Sequence, residues 1–591
     1  MPNLPWALAL LLACLAPATG FVSAPAYRAA QLDYKATAFG SRRAVVSRHA
    51  TLASAGAAAR RAVVLLPLAE ARVPLVARLL SNDTNAAGLV VVLPADDFDA
   101  GFAGTKEART LERFLTSAKG STRVPVYFVR SSDAISGVIA DLTKWIAVGS
   151  APTSVSGGWK AVVGQTEPRK IRPAPSLTNY QGLLHGATPA AGAAEPTSSS
   201  VLLVVAPYDS FGAAPDLAQG SGSAAAALLE VARLFQKLYA EHSHTPTTSV
   251  AFMLSAGSHL NFVGSRAWLT SADPKLLSAV SFVLCLDSLV TDPLDRAEDE
   301  GPNHLFLHTA RPPDDASVAP LYGRFKAAGK LAGMELETVH KRVNVSAPTA
   351  AWEHELFSRR RMAAATLSAR STPPDFLARS SIFERGAAAG DARTIASSVR
   401  VVAEALARHA LAADGVDVPA SESLFAEAKG LGVSESELGS WLSLFGRVPR
   451  VAPIASIAEA RAAKANDKFK SAVDRTAKLN AEVAARAEVN RSGVLPALSQ
   501  ALGKLTSEVT TMDFELPRDW VFYSHSEAAE LRLYRTASIA FDVTLLACVL
   551  AYLGALFLGL KLYHGGWAGV RDSLRAAPPP VRSPGSAKKR R

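Results

Sequence analysis

An α/β fold, with a central sheet covered by helices on both faces, is what this chain predicts, on three observations. Short runs rich in Val, Leu and Phe alternate with helix-like stretches along much of the 591 residues, which is the rhythm of strand–helix–strand units. The runs are apolar at every position and not at every second one, so the strands are buried on both faces. The length exceeds what one hydrophobic core supports, so more than one domain is expected.

Each element can be justified in order. Residues 1–20, "MPNLPWALALLLACLAPATG", hold an apolar run too short to span a bilayer, followed by the small residues Ala16, Ala18 and Gly20; this reads as a signal peptide. Residues 21–183 read as a small α/β lobe, with strands in "RAVVLLPL", "AGLVVVLP" and "VPVYFV" and a helical connection in "EARVPLVARLL". Residues 184–200 contain the Ala/Pro/Ser-rich "LHGATPAAGAAEPTSSS" and read as a linker loop. The main domain follows at 201–417: strands "SVLLVVA", "TSVAFMLSA", "VSFVLCLD", "HLFLHTA" and "MAAATLS", with helices in "AAAALLEVARLFQKLYA", "APLYGRFKAAGKLAG" and "TIASSVRVVAEALARHALA". From 418 to 536 the chain turns charge-rich without a strand signal, and a helical stalk is predicted. Val543 to Leu560 carries no charged side chain, so a transmembrane helix is predicted over 540–562.

The tail at 563–591 is basic: Arg571, Arg575, Arg582, Lys588, Lys589, Arg590 and Arg591 stand against Asp572. Positive flanks stay in the cytosol, which puts the bulk of the chain in the lumen as a single-pass type I protein. Much of the net charge of +11 belongs to this tail, so the basic balance does not argue for nucleic acid. Cys14 falls in the signal, Cys548 in the membrane helix, and Cys285 is alone in the lumen; a disulfide scaffold is excluded. Sequons at Asn82, Asn344 and Asn490 are glycosylation candidates. The terminal "KKRR" places Lys588 and Lys589 where a dilysine retrieval signal of the endoplasmic reticulum would have them; the plainer reading is a cytosolic anchor.

Generic motifs fail on context. "GSGSAA" at Gly220 to Ala225 matches G-x-G-x-x-A but follows a long loop and not a strand. "EHELF" at Glu353 to Phe357 lacks the second histidine of H-E-x-x-H. No G-x-S-x-G elbow occurs.

The stretches "YDSFGAAP" (Tyr208 to Pro215), "NFVGSRAWL" (Asn261 to Leu269), "FVLCLD" (Phe282 to Asp287), "VHKRVN" (Val339 to Asn344), "AWEHELFSRRR" (Ala351 to Arg361) and "ARSSIFE" (Ala378 to Glu384) occur in one order. In this the chain resembles the M28 family of zinc aminopeptidases, and more closely its nicastrin-related, non-peptidase branch. The resemblance implies a zinc-aminopeptidase-like central sheet. It also implies where a peptidase would carry its two zinc ions: a His-x-Asp after the first strand, a bridging Asp, a Glu-Glu pair, an Asp at a strand end and a late His. Here the His-x-Asp position reads Pro207-Tyr208-Asp209, the bridging Asp falls on Gln219 and Gly220, the Glu pair on Ser258 and His259, and the late His on Ser380. Of the ligand positions only Asp287 keeps its residue type. His259 could in principle bind metal with Asp287, but two ligands do not make a catalytic site, and a loop histidine that is hydrogen-bonded or solvated is the expectation.

No cofactor and no catalysis are therefore expected, and the resemblance implies a pseudo-peptidase scaffold in the endoplasmic-reticulum membrane. The partners it implies are a nodal-modulator-like lumenal protein, a small multi-span membrane protein and the Sec61 translocon, in the biogenesis of multi-pass membrane proteins. The alternatives are an active zinc aminopeptidase, or a nicastrin-like substrate receptor of an intramembrane protease.

Overall fold

The computed structural model describes residues 21–575 apart from 96–105, 148–157, 171–175, 188–199, 218–221, 291–302, 383–388, 451–493, 524–528 and stretches of one to three residues. The signal at 1–20, most of the linker, and the tail beyond 575 lie outside the described residues.

The N-terminal lobe contains β1 (Phe21–Arg28), β2 (Gln31–Tyr34), β3 (Thr37–Gly40), β4 (Val46–Leu52), β5 (Val63–Pro67), β6 (Gly88–Leu93), β7 (Val126–Arg130) and β8 (Gly158–Val163). Strands β5, β6 and β7 are the three apolar runs of the sequence, paired in parallel. Alternate residues serve opposite faces, as strand geometry requires. Val64, Leu66, Leu89 and Val91 pack with Ala108, Leu111 and Leu115 of helix Lys106–Leu115, while Val63, Leu65, Val90 and Val92 pack with Ile135, Val138 and Leu142 of helix Asp133–Ala147.

The main domain holds β9 (Ser176–Leu184), β10 (Val201–Pro207), β11 (Ser249–Ser255), β12 (Val280–Leu286), β13 (His304–Thr309), β14 (Glu335–His340), β15 (Ala364–Ser368) and β16 (Glu508–Glu515). They form one mixed sheet in the order β14-β13-β15-β12-β10-β11-β9-β16. Its centre, β15, β12, β10 and β11, is parallel. Both faces are covered, as the uniformly apolar strands require. Leu202, Val204 and Ala206 pack under helices Ser223–Glu241 and Ala389–Ala413, and Leu203 and Val205 pack against Trp268 and Phe357 on the other side.

Two boundaries differ from the sequence reading. The segment 21–183 is not wholly a lobe of its own, because β9 pairs with β11 and β16 in the main sheet. The segment 418–536 is not a helical stalk throughout. Helices Glu435–Arg447 and Val494–Leu505 are followed by β16, β17 (Trp520–Phe522) and β18 (Ala529–Thr536). Strand β18 pairs with β1 on one side and β8 on the other, and so closes the lobe's strand ring β1-β18-β8-β4-β5-β6-β7. Its charges hid it: in "AELRLYRT", Ala529, Leu531 and Leu533 are buried while Glu530 and Arg532 point outward, a period-two pattern inside a charge-rich stretch.

Helix Ile539–Arg575 ends the described chain, with Val543, Leu546, Leu550, Leu553 and Phe557 exposed. Among the described residues no helix is long and apolar enough to cross a membrane; the unbroken run of described side chains in this helix is 545–561.

Candidate functional site at the mouth of the central sheet

Parallel strands in an open α/β sheet bring their carboxyl ends to one edge, where ligands bind in this architecture. Here Pro207 ends β10 opposite Ser255 of β11, and Asp287 follows β12 directly. Pro207, Asp209, Ser258, Asp287 and Ser380 meet around one cavity of about 40 Å³. Five of the eight residues singled out from sequence are thus brought together, and His259 lies beside Asp209. Gln219 and Gly220 lie outside the described residues.

The turn after β11 sets the first half of the site. Gly257 has φ 68°, and Asn261 and Phe262 are also left-handed at 62° and 55°, a conformation that is costly for a bulky residue. A Cβ on Gly257 would stand 2.4 Å from Val263 Cγ2, so the position requires glycine. Asn179 of β9 clamps the turn: its side-chain oxygen accepts from the Ala256 amide at 3.0 Å, and its amide nitrogen donates to the Gly264 carbonyl at 2.9 Å. The Gly257 amide in turn donates to Asp209 Oδ2 at 2.7 Å.

His259 departs from the sequence expectation. It is neither solvated nor hydrogen-bonded: it is fully buried, and neither ring nitrogen has a hydrogen-bond partner among the described residues. Its ring stacks on Phe211 at 4.9 Å, and Nδ1 stands 3.7 Å from Asp209 Oδ1, too far for a hydrogen bond. Burial, aided by the charge of Arg379, pulls the imidazole down to about 3. Burial likewise pushes Asp209 up to about 7, against the Gly257 amide and the charge of Arg450. Both groups are driven toward their neutral forms.

The second half is ionic. Arg379 Nη1 lies 3.5 Å from Asp287 Oδ1 and Nη2 donates to the Ala351 carbonyl at 2.5 Å, while the guanidinium sits 4.3 Å over the Phe262 ring. Ser368 Oγ donates to Asp287 Oδ2 at 3.0 Å. Burial pushes Asp287 up, but the charges of Arg370 and Arg379 prevail and hold its carboxyl below the usual range. Nearby, Glu353 is buried and accepts from Ser265 Oγ and, at 3.2 Å, from Ser255 Oγ; desolvation pushes it up to about 7. Arg450 donates from Nη1 to the Tyr208 carbonyl at 3.0 Å.

Sequence reasoning passed over Arg370, Arg379, Arg450 and Glu353. Arg379 and Glu353 lie within stretches that carried the resemblance, one residue before Ser380 and one before His354. These residues do not fit a zinc pair. Asp287 already faces a guanidinium, Asp209 gives one oxygen to the Gly257 amide and is pushed toward its neutral form by burial, and Pro207 has no side-chain donor. Among the described residues no group of three or more His, Cys, Asp or Glu is placed to hold a metal ion.

Of the modification candidates, Asn344 is exposed in a turn whose Ser346 amide donates to its side-chain oxygen at 3.0 Å. Asn82, Asn490, Lys588 and Lys589 lie outside the described residues.

Comparison with known proteins puts this geometry in company. Residues 190–310 match the model of peptidase family M28. The chain is 28% identical to the BOS complex subunit ncln of Danio rerio, over 93% of this chain and 92% of the relative. It is 26% identical to nicalin of Caenorhabditis elegans, over 56% of this chain and 60% of the relative. Among solved structures, that of the gamma-secretase component nicastrin shares the fold, with a TM-score of 0.52 at 10% identity, covering 86% of this chain and 99% of that one.

Proposed function

We propose that this chain, which is similar to a BOS complex subunit along nine-tenths of its length and matches peptidase family M28 over residues 190–310, is a non-catalytic subunit of a BOS-type complex in the endoplasmic-reticulum membrane. The observation that carries the reading is the similarity to BOS complex subunits along nine-tenths of the chain, including the parts outside the peptidase domain.

The loss of catalysis is part of the proposal. A water-activating zinc centre needs several anionic or imidazole ligands and a general base. At the corresponding positions stand Pro207, Ser258, His259 and Ser380, and Arg379 is held beside Asp287. Membrane attachment through 540–562 rests on the uncharged run Val543 to Leu560 and on the helix that contains it. On this reading the domains lie in the lumen, the tail lies in the cytosol, and the partners are a nodal-modulator-like lumenal protein, a small multi-span protein and the Sec61 translocon.

Affinity purification of the full chain in mild detergent tests the assignment. Recovery of a large lumenal protein with multi-span and translocon subunits is the expected result. Recovery of a presenilin-type protease in their place would transfer the chain to the receptor class. Metal analysis of the same sample is expected to find no stoichiometric zinc; about two zinc ions per chain, lost together with aminopeptidase activity on chelation, would overturn the non-catalytic reading.

A further inference from the structure

A second cavity, of about 480 Å³, opens beside the small one and shares Arg370, Arg379 and Ser380 with it. One wall is helix Lys106–Leu115 of the N-terminal lobe, and the other is the loop that follows β15. Lys106, Arg109, Thr110 and Arg113 face it from the helix at the three- and four-residue spacing that puts side chains on one stripe. Glu112 offsets them only in part, through Arg109. It accepts from Ser381 Oγ, from the Ile382 amide at 2.8 Å and from the Ala213 amide at 3.3 Å, and burial pushes its carboxyl up.

Among the described residues the lining sets five cations, Lys106, Arg109, Arg113, Arg370 and Arg379, against the carboxyls of Glu112 and Asp375, with Asp287 acting on Arg370 and Arg379 from the small cavity behind them. Lys106 and Arg370 stand on opposite walls, and neither side chain makes a hydrogen bond among the described residues. Cations gathered around a concave surface focus a positive field into it. The volume is that of a ligand pocket and exceeds a single oxyanion. Guanidinium forks match carboxylates in pairs. Ser371 and Thr372 add hydroxyls, and Pro373 and Pro374 add apolar faces, along the loop wall.

We propose that this inter-lobe cavity binds an acidic peptide segment, whose carboxylates are received between Lys106 on one wall and Arg370 on the other. The site does not depend on which complex the chain joins.

The test uses the purified full chain in detergent and a fluorescein-labelled octapeptide of glutamate and glycine, followed by anisotropy. Saturable binding that weakens with salt is expected, with a lysine–glycine octapeptide failing to bind. The double variant Lys106→Ala, Arg370→Ala should lose about tenfold in affinity or more. Lys326→Ala with Lys330→Ala, on a separate exposed groove, should bind as the parent does. Lys106→Glu alone, at an exposed helix position, gives the same reading if the double variant fails to fold. Equal binding of the two octapeptides, undiminished binding by the Lys106 and Arg370 variants, or full displacement by an equal concentration of inorganic phosphate would each overturn the proposal.

Discussion

The two halves of the sheet mouth resolve one problem in opposite ways. Beside β10 and β11, Asp209 and His259 are buried in near contact, and burial moves both toward neutrality, the acid up to about 7 and the imidazole down to about 3. Beside β12 and β15, Asp287 keeps its charge because Arg370 and Arg379 stand next to it. Polar groups on a buried rim must be neutralised or paired, since an isolated charge there is expensive. One half has given up its charge, and the other has recruited a counter-charge from the chain.

The largest effect that could break this contrast is at Arg379. Replacement by alanine leaves Asp287 and Glu353 facing a void where a cation was, and should cost about 3–5 kcal/mol of unfolding free energy, read by denaturant titration. Adding Asp287→Asn should return part of that loss. A cost below about 1 kcal/mol would mean that the ionic half is no more dependent on its pairing than a surface bridge.

The pH dependence sharpens the other half. Asp209 titrates near 7 folded against 3.8 as its ordinary value, so its contribution is full below about 4 and is lost as pH rises through 7. His259 titrates near 3 folded against 6.5, so its contribution is full above about 6.5 and is lost as pH falls toward 3. Between these limits the folded pair holds one proton on the acid and the unfolded pair holds one on the imidazole; the proton counts match and the two slopes cancel. Asp209→Asn should therefore make stability rise with pH from about 4 to 6.5, and His259→Phe should make it fall over the same window. Chemical denaturation at a series of pH values reads both slopes, and parallel slopes in the two variants would contradict a neutral pair.

A smaller effect separates the two aromatic neighbours. Phe262 lies under the Arg379 guanidinium, whereas Phe211 stacks on an uncharged ring. A double-mutant cycle between Phe262→Leu and Arg379→Met should return a coupling of about 0.5–2 kcal/mol. Phe211→Leu, cycled against Arg379→Met, should return none.

How much of this the sequence disclosed follows the same division. The sheet was legible because runs such as "SVLLVVA" carry their burial in composition, and the meeting of Pro207, Ser258, Asp287 and Ser380 was legible through the order of matched stretches. The arginines were not. An arginine in isolation reads as a solvated charge, and only the pairing of β12 with β15 brings Arg379, three strands later in the chain, to Asp287. The burial of His259 was hidden because it depends on the stacking of Phe211 from another loop. Strand β18 was hidden because alternating charges in a charge-rich stretch look like a helix surface until the partner strands β1 and β8 are known.

That last strand fixes an order of events during synthesis. Phe21 pairs with Tyr534 and Ala26 with Ala529, so the lobe begun by β1 is completed by a strand made only after every strand of the main sheet. Until then β1 and β8 each present an unpaired edge, the kind of surface that invites wrong partners. The closing strand is followed within a few residues by the apolar helix Ile539–Arg575, so the moment at which the lobe can shut is also the moment at which the helix is made. A chain terminated before 529 would leave the ring one strand short and its first-made edge exposed, whatever the state of the rest.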